Sequence, residues 1–516
     1  MYKMGDFSII SEFSWVGDWA CIRAKLTPKK EAIYDYIANK RYTFDDLNTR
    51  ANKLARVLLN NDIRKGDRVA VFSSNRIECI DLFLATGKIG AILVPFNVRL
   101  STLETTKLLE KIEPKAFFYE LKFSSNVKEF RNNKILNVQI GTNNKNEFGD
   151  PNYDDFLNKV PGSDVERSNI NLEDPHLILF TGGTTGLPKG AVLPHRSIYW
   201  NSFNTIISWG LTPEDIQPLL FPLFHTGGWN VLLVPFYHIG AKSILMGDFN
   251  PDEVLKVIER EKCTIVIGVP TMFHMMANSK NFESTDLSSV KIFISGGAPC
   301  PVALMEKYWA RNKLFKMGYG LTEVGPNNFY LQEDYIKKKP ESVGKPVFHC
   351  ETKIVNTKTN EEIKRGEIGE LLLRGPHAFT GYWQEPEETK NTIDSDGWVH
   401  TGDLVRQDEE GFFYIAGRKK EMYISGGENI FPVEIEEILY KHPAIDLVAV
   451  IGVPDEKWGE VGKAFIKFKQ GRSATIEEIK EFLKDKLARY KIPKYFEIRD
   501  SLPISGSGKI LKKDLK

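Results

Sequence analysis

Long apolar runs are missing from this 516-residue chain: no uncharged stretch reaches bilayer length, so a membrane-spanning helix is not expected. The N-terminus carries Asp6, Glu12 and Asp18 among its apolar residues, with no h-region or cleavage site, which speaks against a secretory signal. Cysteine is scarce. Cys21, Cys79, Cys263, Cys300 and Cys350 are scattered, odd in number and free of Cys-x-x-Cys spacing, a pattern that disfavours a disulfide framework or zinc site and favours reduced thiols in a cytoplasmic protein. An excess of one charge is also lacking. With 69 Lys and Arg against 68 Asp and Glu, the net charge of +1 gives no electrostatic case for nucleic acid or an anionic membrane. A small anionic ligand needs only a local cluster and stays open.

What is present is an ordinary globular composition, 42% hydrophobic and 27% charged, on a chain too long for one core, so two or three domains are expected. The most informative stretch is Thr181-Gly182-Gly183-Thr184-Thr185-Gly186-Leu187-Pro188-Lys189-Gly190. Glycines let backbone N–H groups turn inward, Thr184 and Thr185 add hydroxyl donors, and Lys189 supplies a point charge, so the segment reads as a phosphate loop. It is not a Walker loop: Pro188 precedes the lysine, Gly190 follows it, and Ala191 to Pro194 reads as a strand where that motif needs a helix. The plain alternative is a Gly/Thr-rich hairpin turn that binds nothing.

Elsewhere the chain alternates strands and helices. Apolar residues recur at helical spacing from Thr43 to Asn61, Arg68 to Phe72 reads as a strand, Arg76 to Lys88 as a helix and Ala91 to Pro95 as the next strand, the signature of an α/β layered domain with a largely parallel sheet. Residues 121–170 are polar and Asn-rich and are expected to form surface connections. A helix is expected over His195 to Trp209, then the apolar run Leu219 to Phe224 ending at His225-Thr226-Gly227-Gly228-Trp229. Further strands end in Gly296-Gly297-Ala298-Pro299 and in Met317-Gly318-Tyr319-Gly320-Leu321-Thr322-Glu323. Three glycine-bearing loops at strand ends point to one crevice, because ligands of open α/β sheets bind beyond the carboxyl ends of strands. Residues 342–373 suggest a small antiparallel sheet, closed by Thr401-Gly402-Asp403. The last hundred residues have their own pattern, with a helix from Pro432, strands Leu447 to Ile451 and Ala464 to Phe468, and a helix over Ile476 to Tyr490. They suggest a lid joined at Gly417-Arg418-Lys419-Lys420.

Taken in order, Thr181 to Gly190, Gly318 to Glu323, Thr401-Gly402-Asp403, Gly417-Arg418, Gly426 to Glu436 and Pro503 to Lys509 resemble the AMP-forming adenylating enzymes: acyl- and aryl-CoA synthetases, luciferases and peptide-synthetase adenylation domains. The resemblance covers nearly the whole chain. It implies a large N-terminal domain of layered α/β sheets with a small β-subdomain, residues 1–419, binding ATP and carboxylate, and a mobile α+β lid, residues 420–516. The implied reaction runs in two halves. A carboxylate attacks the α-phosphate of MgATP to give acyl-AMP and pyrophosphate, and coenzyme A then displaces AMP. In-line attack by an anion on a polyphosphate needs cations and fixed donors to hold the geometry.

By this resemblance, Thr181, Gly182, Gly183, Thr184, Thr185, Gly186 and Lys189 hold the β- and γ-phosphates. Thr322 lies at the α-phosphate, Glu323 and Thr185 are at Mg²⁺, a hard cation suited to oxygen ligands, and Gly318, Tyr319 and Gly320 with Gly297, Ala298 and Pro299 border adenine. Asp403 accepts from the ribose hydroxyls and Arg418 meets ribose and phosphate. Lys509, in the flexible Ser505-Gly506-Ser507-Gly508 context, spans carboxylate and attacked phosphate. Lys420 is the hinge, and Ser425, Gly426 and Gly427 pass the pantetheine arm. His225, Trp229, Gly296 and Gly318 border the acid; for His225 and Trp229 plain core packing is the competing reading. Two departures stand out: Gly182 where the family commonly has Ser, and Lys420 where many members have an acid. Phe224-His225-Thr226 lacks the Asp that amino-acid-activating relatives carry, which favours a free-standing CoA ligase for a short- to medium-chain fatty acid, with an aryl acid as the alternative. A non-catalytic nucleotide-binding scaffold and a luciferase-like oxidase are the other readings kept open, as is a homodimer.

Overall fold

The computed structural model describes residues 13–141, 148–166, 168–182, 187–504 and 509–515. Its first layer is a seven-stranded sheet ordered Gly381–Tyr382, Lys189–Pro194, Pro175–Thr181, Ile92–Pro95, Arg68–Phe72, Ala116–Glu120, Leu136–Ile140. The last five of these strands pair in parallel, and the first two add an antiparallel edge. Strands such as Arg-Val-Ala-Val-Phe are apolar at nearly every position because helices cover both faces. The helix Phe44–Asn60 begins at a reciprocal cap, in which Thr43 and Asp46 each satisfy the other's backbone N–H, and turns Leu47, Ala51, Leu54, Ala55 and Leu58 inward. Its neighbour Ile77–Ile89 is buried at every residue. Charged groups inside this layer are paired: Lys88 with Asp18 at 2.6 Å, and Arg50 with Asp81, which also accepts from the Tyr153 hydroxyl at 2.8 Å.

A second α/β layer joins the strands Lys40–Thr43, Glu31–Asp35, Lys242–Leu245 and Ile216–Leu219 to a parallel trio, Ile265–Gly268, Ile292–Ser295 and Leu314–Met317. The Thr264 N–H donates to the Ile216 carbonyl at 2.8 Å and links the two sets. Six mainly antiparallel strands between Phe329 and Arg418 form the β-subdomain. Within it, Glu351–Val355 pairs with Gly369–Arg374, and Val399–Gln407 with Phe413–Arg418. The chain then turns through residues 419–422 into a five-stranded sheet flanked by the helices Pro432–Tyr440 and Ile476–Lys484, with its own core around Ile435, Leu439, Val448, Val450, Ile466, Ile479 and Leu483. The mixed α/β class and the large-then-small division are those expected.

Two local expectations need correction. Residues 121–170 are more than surface connection: they contain Leu136–Ile140, a strand whose Asn137 and Gln139 are 5% and 1% exposed. Their polarity hid the strand; the Asn137 amide donates locally to the carbonyls of Asn132 and Ile135. The lid helix ends at Lys484, short of Tyr490, and Arg489–Lys491 forms a separate short turn before Pro493. After the apolar run that ends at Trp229 the chain forms a wide turn at Gly227–Val231 and a helix at Leu233–Ile239. Among the described residues no helix is long and apolar enough to cross a membrane.

Candidate active site

The glycine-rich loop is carried by an antiparallel hairpin, Pro175–Thr181 against Lys189–Pro194, with Thr181 opposite Lys189. The two strands expected to flank the loop are thus an antiparallel pair that brings its two ends together. Gly183, Thr184, Thr185 and Gly186 lie outside the described residues. The Thr181 hydroxyl donates to the Lys189 carbonyl at 3.4 Å, and Gly182 has open space where a side chain would stand. Lys189 pairs with Glu388 and lies 5.4 Å from the Tyr382 ring centre. Neither partner was singled out from the sequence. Glu388 sits on a short exposed helix, Pro386–Thr392, whose acidic first turn looks like routine capping.

The strand Leu314–Met317 delivers Gly318, Tyr319 and Gly320 to the crevice. A Cβ on Gly320 would stand 2.2 Å from the carbonyl carbon of Pro326, so only glycine fits this crossing of backbone. The Tyr319 hydroxyl donates to Asp403 at 2.6 Å, and Arg418 meets the other oxygen of that carboxylate at 2.8 Å. The pairing Asp403 opposite Arg418 follows from register in the β-subdomain, so two residues fifteen apart in sequence are set face to face by one ladder. Burial pushes the Asp403 carboxyl up and the Arg418 guanidinium pulls it back; Asp403 in turn raises Arg418. Thr322 and Glu323 form a short 3₁₀ turn just beyond, and Glu323 accepts from the Tyr382 hydroxyl at 2.7 Å.

Lys509 enters from the lid. Its Cε would be 3.2 Å and its Nζ 3.7 Å from a Cβ on Gly297, whose φ of +80° no other side chain adopts readily. The lysine stem thus lies across the glycine. Lys509 stands at the base of a chain reversal closed by the Ile504 to Ile510 bridge and by the Leu511 N–H donating to the Pro503 carbonyl at 2.8 Å. Behind it, Lys512 pairs with Glu436 at 2.8 Å and Glu421 at 3.3 Å, tying the terminal segment to the lid. Residues 505–508 lie outside the described residues.

Electrostatics show what surrounds Lys509. Burial first, and then the Arg418 charge, lower its pKa, while Asp403 raises it. His225 is pushed down to about 4, by burial first and by Lys509 second, so it is a neutral imidazole at pH 7. Its Nδ1 accepts from the Gly227 N–H at 3.2 Å. Lys420 is lowered by burial, then by Arg418 and, less, by Lys189. Arg418 thus lowers both Lys420 and Lys509, and Asp403 raises both.

The remaining expected residues divide. Gly296, Ala298 and Pro299 share the strand end with Gly297, and the Gly318 N–H donates to the Ser295 carbonyl at 2.8 Å, placing both glycine loops side by side. Trp229, 1% exposed, is stacked on Phe83 with ring centres 5.0 Å apart and donates to the Leu223 carbonyl; it is a core residue in this structure. Ser425, Gly426 and Gly427 are not in the crevice. Ser425 ends a lid strand opposite Glu428, and Gly426 and Gly427 form the two-residue turn of that hairpin, with φ of +60° and +91° and both glycines exposed.

Comparisons with known proteins place the whole chain in one family. Residues 22–383 match the AMP-binding enzyme family and residues 434–509 match the AMP-binding enzyme C-terminal domain. The chain belongs to the AMP-binding enzyme family. It is 34% identical over 503 residues to a feruloyl-CoA synthase of an Amycolatopsis species, covering 97% of this chain and 98% of that one. It is also 34% identical over 535 residues to the mitochondrial medium-chain acyl-CoA ligase of Homo sapiens, covering 97% and 87%. Among solved structures, that of the anthranilate CoA ligase AuaEII in complex with anthranoyl-AMP superposes with a TM-score of 0.90 at 27% identity, covering 98% of this chain and 97% of that one. This AMP-binding enzyme is an AMP-forming acid–CoA ligase, a class that works with ATP, Mg²⁺ and coenzyme A. Glu323 fits a magnesium site of that kind: Mg²⁺ takes one or two carboxylates and completes its shell with phosphate and water. Among the described residues no set of three His, Cys, Asp or Glu side chains could hold a metal without such help.

Proposed function

We propose that the enzyme ligates an apolar monocarboxylic acid of modest length, a short- to medium-chain fatty acid, to coenzyme A. Lys509 lying over Gly297, beside His225 and Asp403, is the observation that carries this reading, because it joins a cation to both a nucleotide site and an acid site. The residues facing the acid side of Gly297 are Val269, Gly296 and Gly318, uncharged and small, which suits an apolar body and offers no partner for a substrate ammonium. A second reading, an aryl acid, is supported by the likeness to the feruloyl-CoA synthase and the anthranilate ligase.

In the proposed first half-reaction a carboxylate oxygen bonds to the α-phosphorus as the bond to the pyrophosphate oxygen breaks. Lys509 neutralises charge on both oxygens, Lys189 with the loop N–H groups takes the departing pyrophosphate, and the Asp403–Arg418 pair holds the ribose. Neutral His225 leaves the carboxylate unprotonated. Glu323 would hold Mg²⁺, which when bound would supply Lewis acidity at the phosphates. For the second half-reaction the lid turns about Lys420, with 1–419 as the stationary domain and 420–516 as the moving one, withdrawing Lys509 and presenting the Gly426–Gly427 turn to the thiol. In this structure the Lys509 stem lies against Gly297 and the Gly426–Gly427 turn is exposed, which suits the first half-reaction. The test is pyrophosphate release and thioester formation with MgATP and CoA across straight-chain, branched and aromatic acids. A peak at one acid class with CoA-dependent thioester is expected. Release independent of CoA, or none with any acid, would overturn the proposal.

A further inference from the structure

The acid side of the crevice leads to a residue that the phosphate chemistry does not use. Strands Ile265–Gly268, Ile292–Ser295 and Leu314–Met317 lie in parallel register, with Ile267 beside Ile294 and Ile294 beside Lys316. Side chains alternate along strands, so these three share one face. Two residues further on, that face is carried by Val269, Gly296 and Gly318. A Cβ on Gly318 would meet the Ile294 side chain at 3.3 Å, and one on Gly296 would meet nothing within 4 Å. Neither Gly296 nor Gly318 puts a side chain on that face beside Gly297, and the next row inward, about 7 Å away by strand rise, ends at Lys316.

Lys316 is 2% exposed, an unusual place for an ammonium. Its Nζ lies 3.5 Å from the Tyr330 ring centre and 5.4 Å from that of Trp209, and it donates to the Leu331 carbonyl at 3.2 Å. Among the described residues no carboxylate pairs with it and Leu331 provides its only hydrogen-bond acceptor, although an ammonium has three donors. Burial lowers its pKa, with Glu333 the one charge opposing. The Trp209 indole Nε1 is likewise buried with no acceptor among the described residues. Two buried donors in one aromatic box, with a single carbonyl between them, are costly to leave unmet. Ile267, Ile294 and the neighbouring Val231 and Phe221 supply only carbon.

We infer that Lys316, with Trp209 beside it, is the specificity-determining inner end of the acid slot, selecting acids whose far end carries an oxygen acceptor over acids of equal length that end in carbon. The acceptor is a hydroxyl, ether or carbonyl oxygen at the para position of a single aromatic ring, or at the terminus of an alkyl acid of matching reach. A plain terminus leaves the donors unpaired, and a site built around hydrogen bonds rejects such an analogue far more strongly than an apolar pocket rejects a missing methylene. The inference rests on the CoA-ligase reading of the crevice mouth and narrows the acid proposed there: the body stays apolar and of modest length, and the far end carries an oxygen acceptor.

The experiment measures kcat/KM for thioester formation with matched pairs: benzoate and 4-hydroxybenzoate, cinnamate and 4-hydroxycinnamate, hexanoate and 6-hydroxyhexanoate. The enzymes are the full-length wild type, Lys316→Met, which keeps the aliphatic stem, and Trp209→Phe, which keeps the ring. In the wild type the oxygenated member of at least one pair should win by ~30-fold or more, Lys316→Met should bring that ratio to within about threefold of one, and Trp209→Phe should fall between. If Lys316→Met does not fold, the ratio in Trp209→Phe carries the test. Thioester formation with equal ratios in wild type and variants, or a wild-type preference for the plain member, overturns the role of Lys316 and leaves the ligase reading standing. No thioester from any acid overturns both.

Discussion

Replacing Gly320 by alanine probes the crossing on which the nucleotide side depends. The added Cβ would stand 2.2, 2.3 and 2.5 Å from the carbonyl carbon, oxygen and Cα of Pro326. Carbon contacts are comfortable at 3.5–4 Å, so the two backbone segments must part by roughly 1 Å or more. Neither can yield freely. Tyr319 is tied to Asp403 at 2.6 Å on one side, and the loop is closed by Leu321 donating to the Gly325 carbonyl at 3.2 Å and Asn328 donating to that of Tyr319 at 3.1 Å. Between the two segments lie Thr322 and Glu323, so any parting displaces the Glu323 carboxylate or the Tyr319–Asp403–Arg418 clamp. The expected cost is about 1–3 kcal/mol of stability from overpacking, and about 10²-fold in adenylate formation from a shift of that size. ATP–pyrophosphate exchange and thermal unfolding read the two separately. Gly318→Ala is the comparison: its Cβ meets only the Ile294 side-chain tip at 3.3 Å, so it should alter acid preference with little change in melting temperature. Exchange and melting of Gly320→Ala indistinguishable from wild type would refute the steric reasoning.

Other consequences can be checked on the same protein. Lys509→Ala should slow adenylate formation by ~10²-fold or more, the scale of losing one preorganised charge, and full pyrophosphate exchange in that variant would contradict its placement at the reacting phosphate. Lys420→Pro should block thioester formation from isolated acyl-AMP while sparing pyrophosphate exchange; equal loss of both would count against a hinge. Acid should destabilise the fold through His176 and His377, 0% and 2% exposed and pushed down to about 4 chiefly by burial. Because the unfolded histidines titrate near 6.5, the unfolded chain binds more protons between about pH 4 and 6.5. The stabilisation is therefore complete above that window and lost as pH falls through it, at about 3 kcal/mol per histidine. Glu437, raised to about 7, opposes with the contrary sign and belongs to the lid. Denaturant unfolding from pH 7.5 to 4.5 should show declining stability, less steep in His176→Gln; a flat profile would show that these imidazoles are not held neutral.

The α/β class and the order of the nucleotide motifs were legible in the sequence because periodicity, caps and glycines act over a few residues. His195 to Trp209 is helical as expected, and the caps at Thr43 and Thr475 are closed by the side chains three residues on. What failed locally failed for a physical reason. A buried strand was masked by Asn137 and Gln139, polar side chains that the fold nonetheless takes inside. The partners Tyr382 and Glu388 carried no sequence signal, since an exposed acid and a tyrosine are common anywhere.

By itself, then, the sequence determined which chemistry-bearing residues the chain owns and the order in which strands deliver them. Tertiary structure alone decided which of them meet. Lys509 reaches Gly297 across more than two hundred residues, and the Gly426–Gly427 turn is held out while it does so. Strand register alone sets Lys316 behind Gly318, at the inner end of the acid slot. Side-chain type is a property of one position, but a site is a set of distances, and those are set by pairing and packing between segments far apart in the chain.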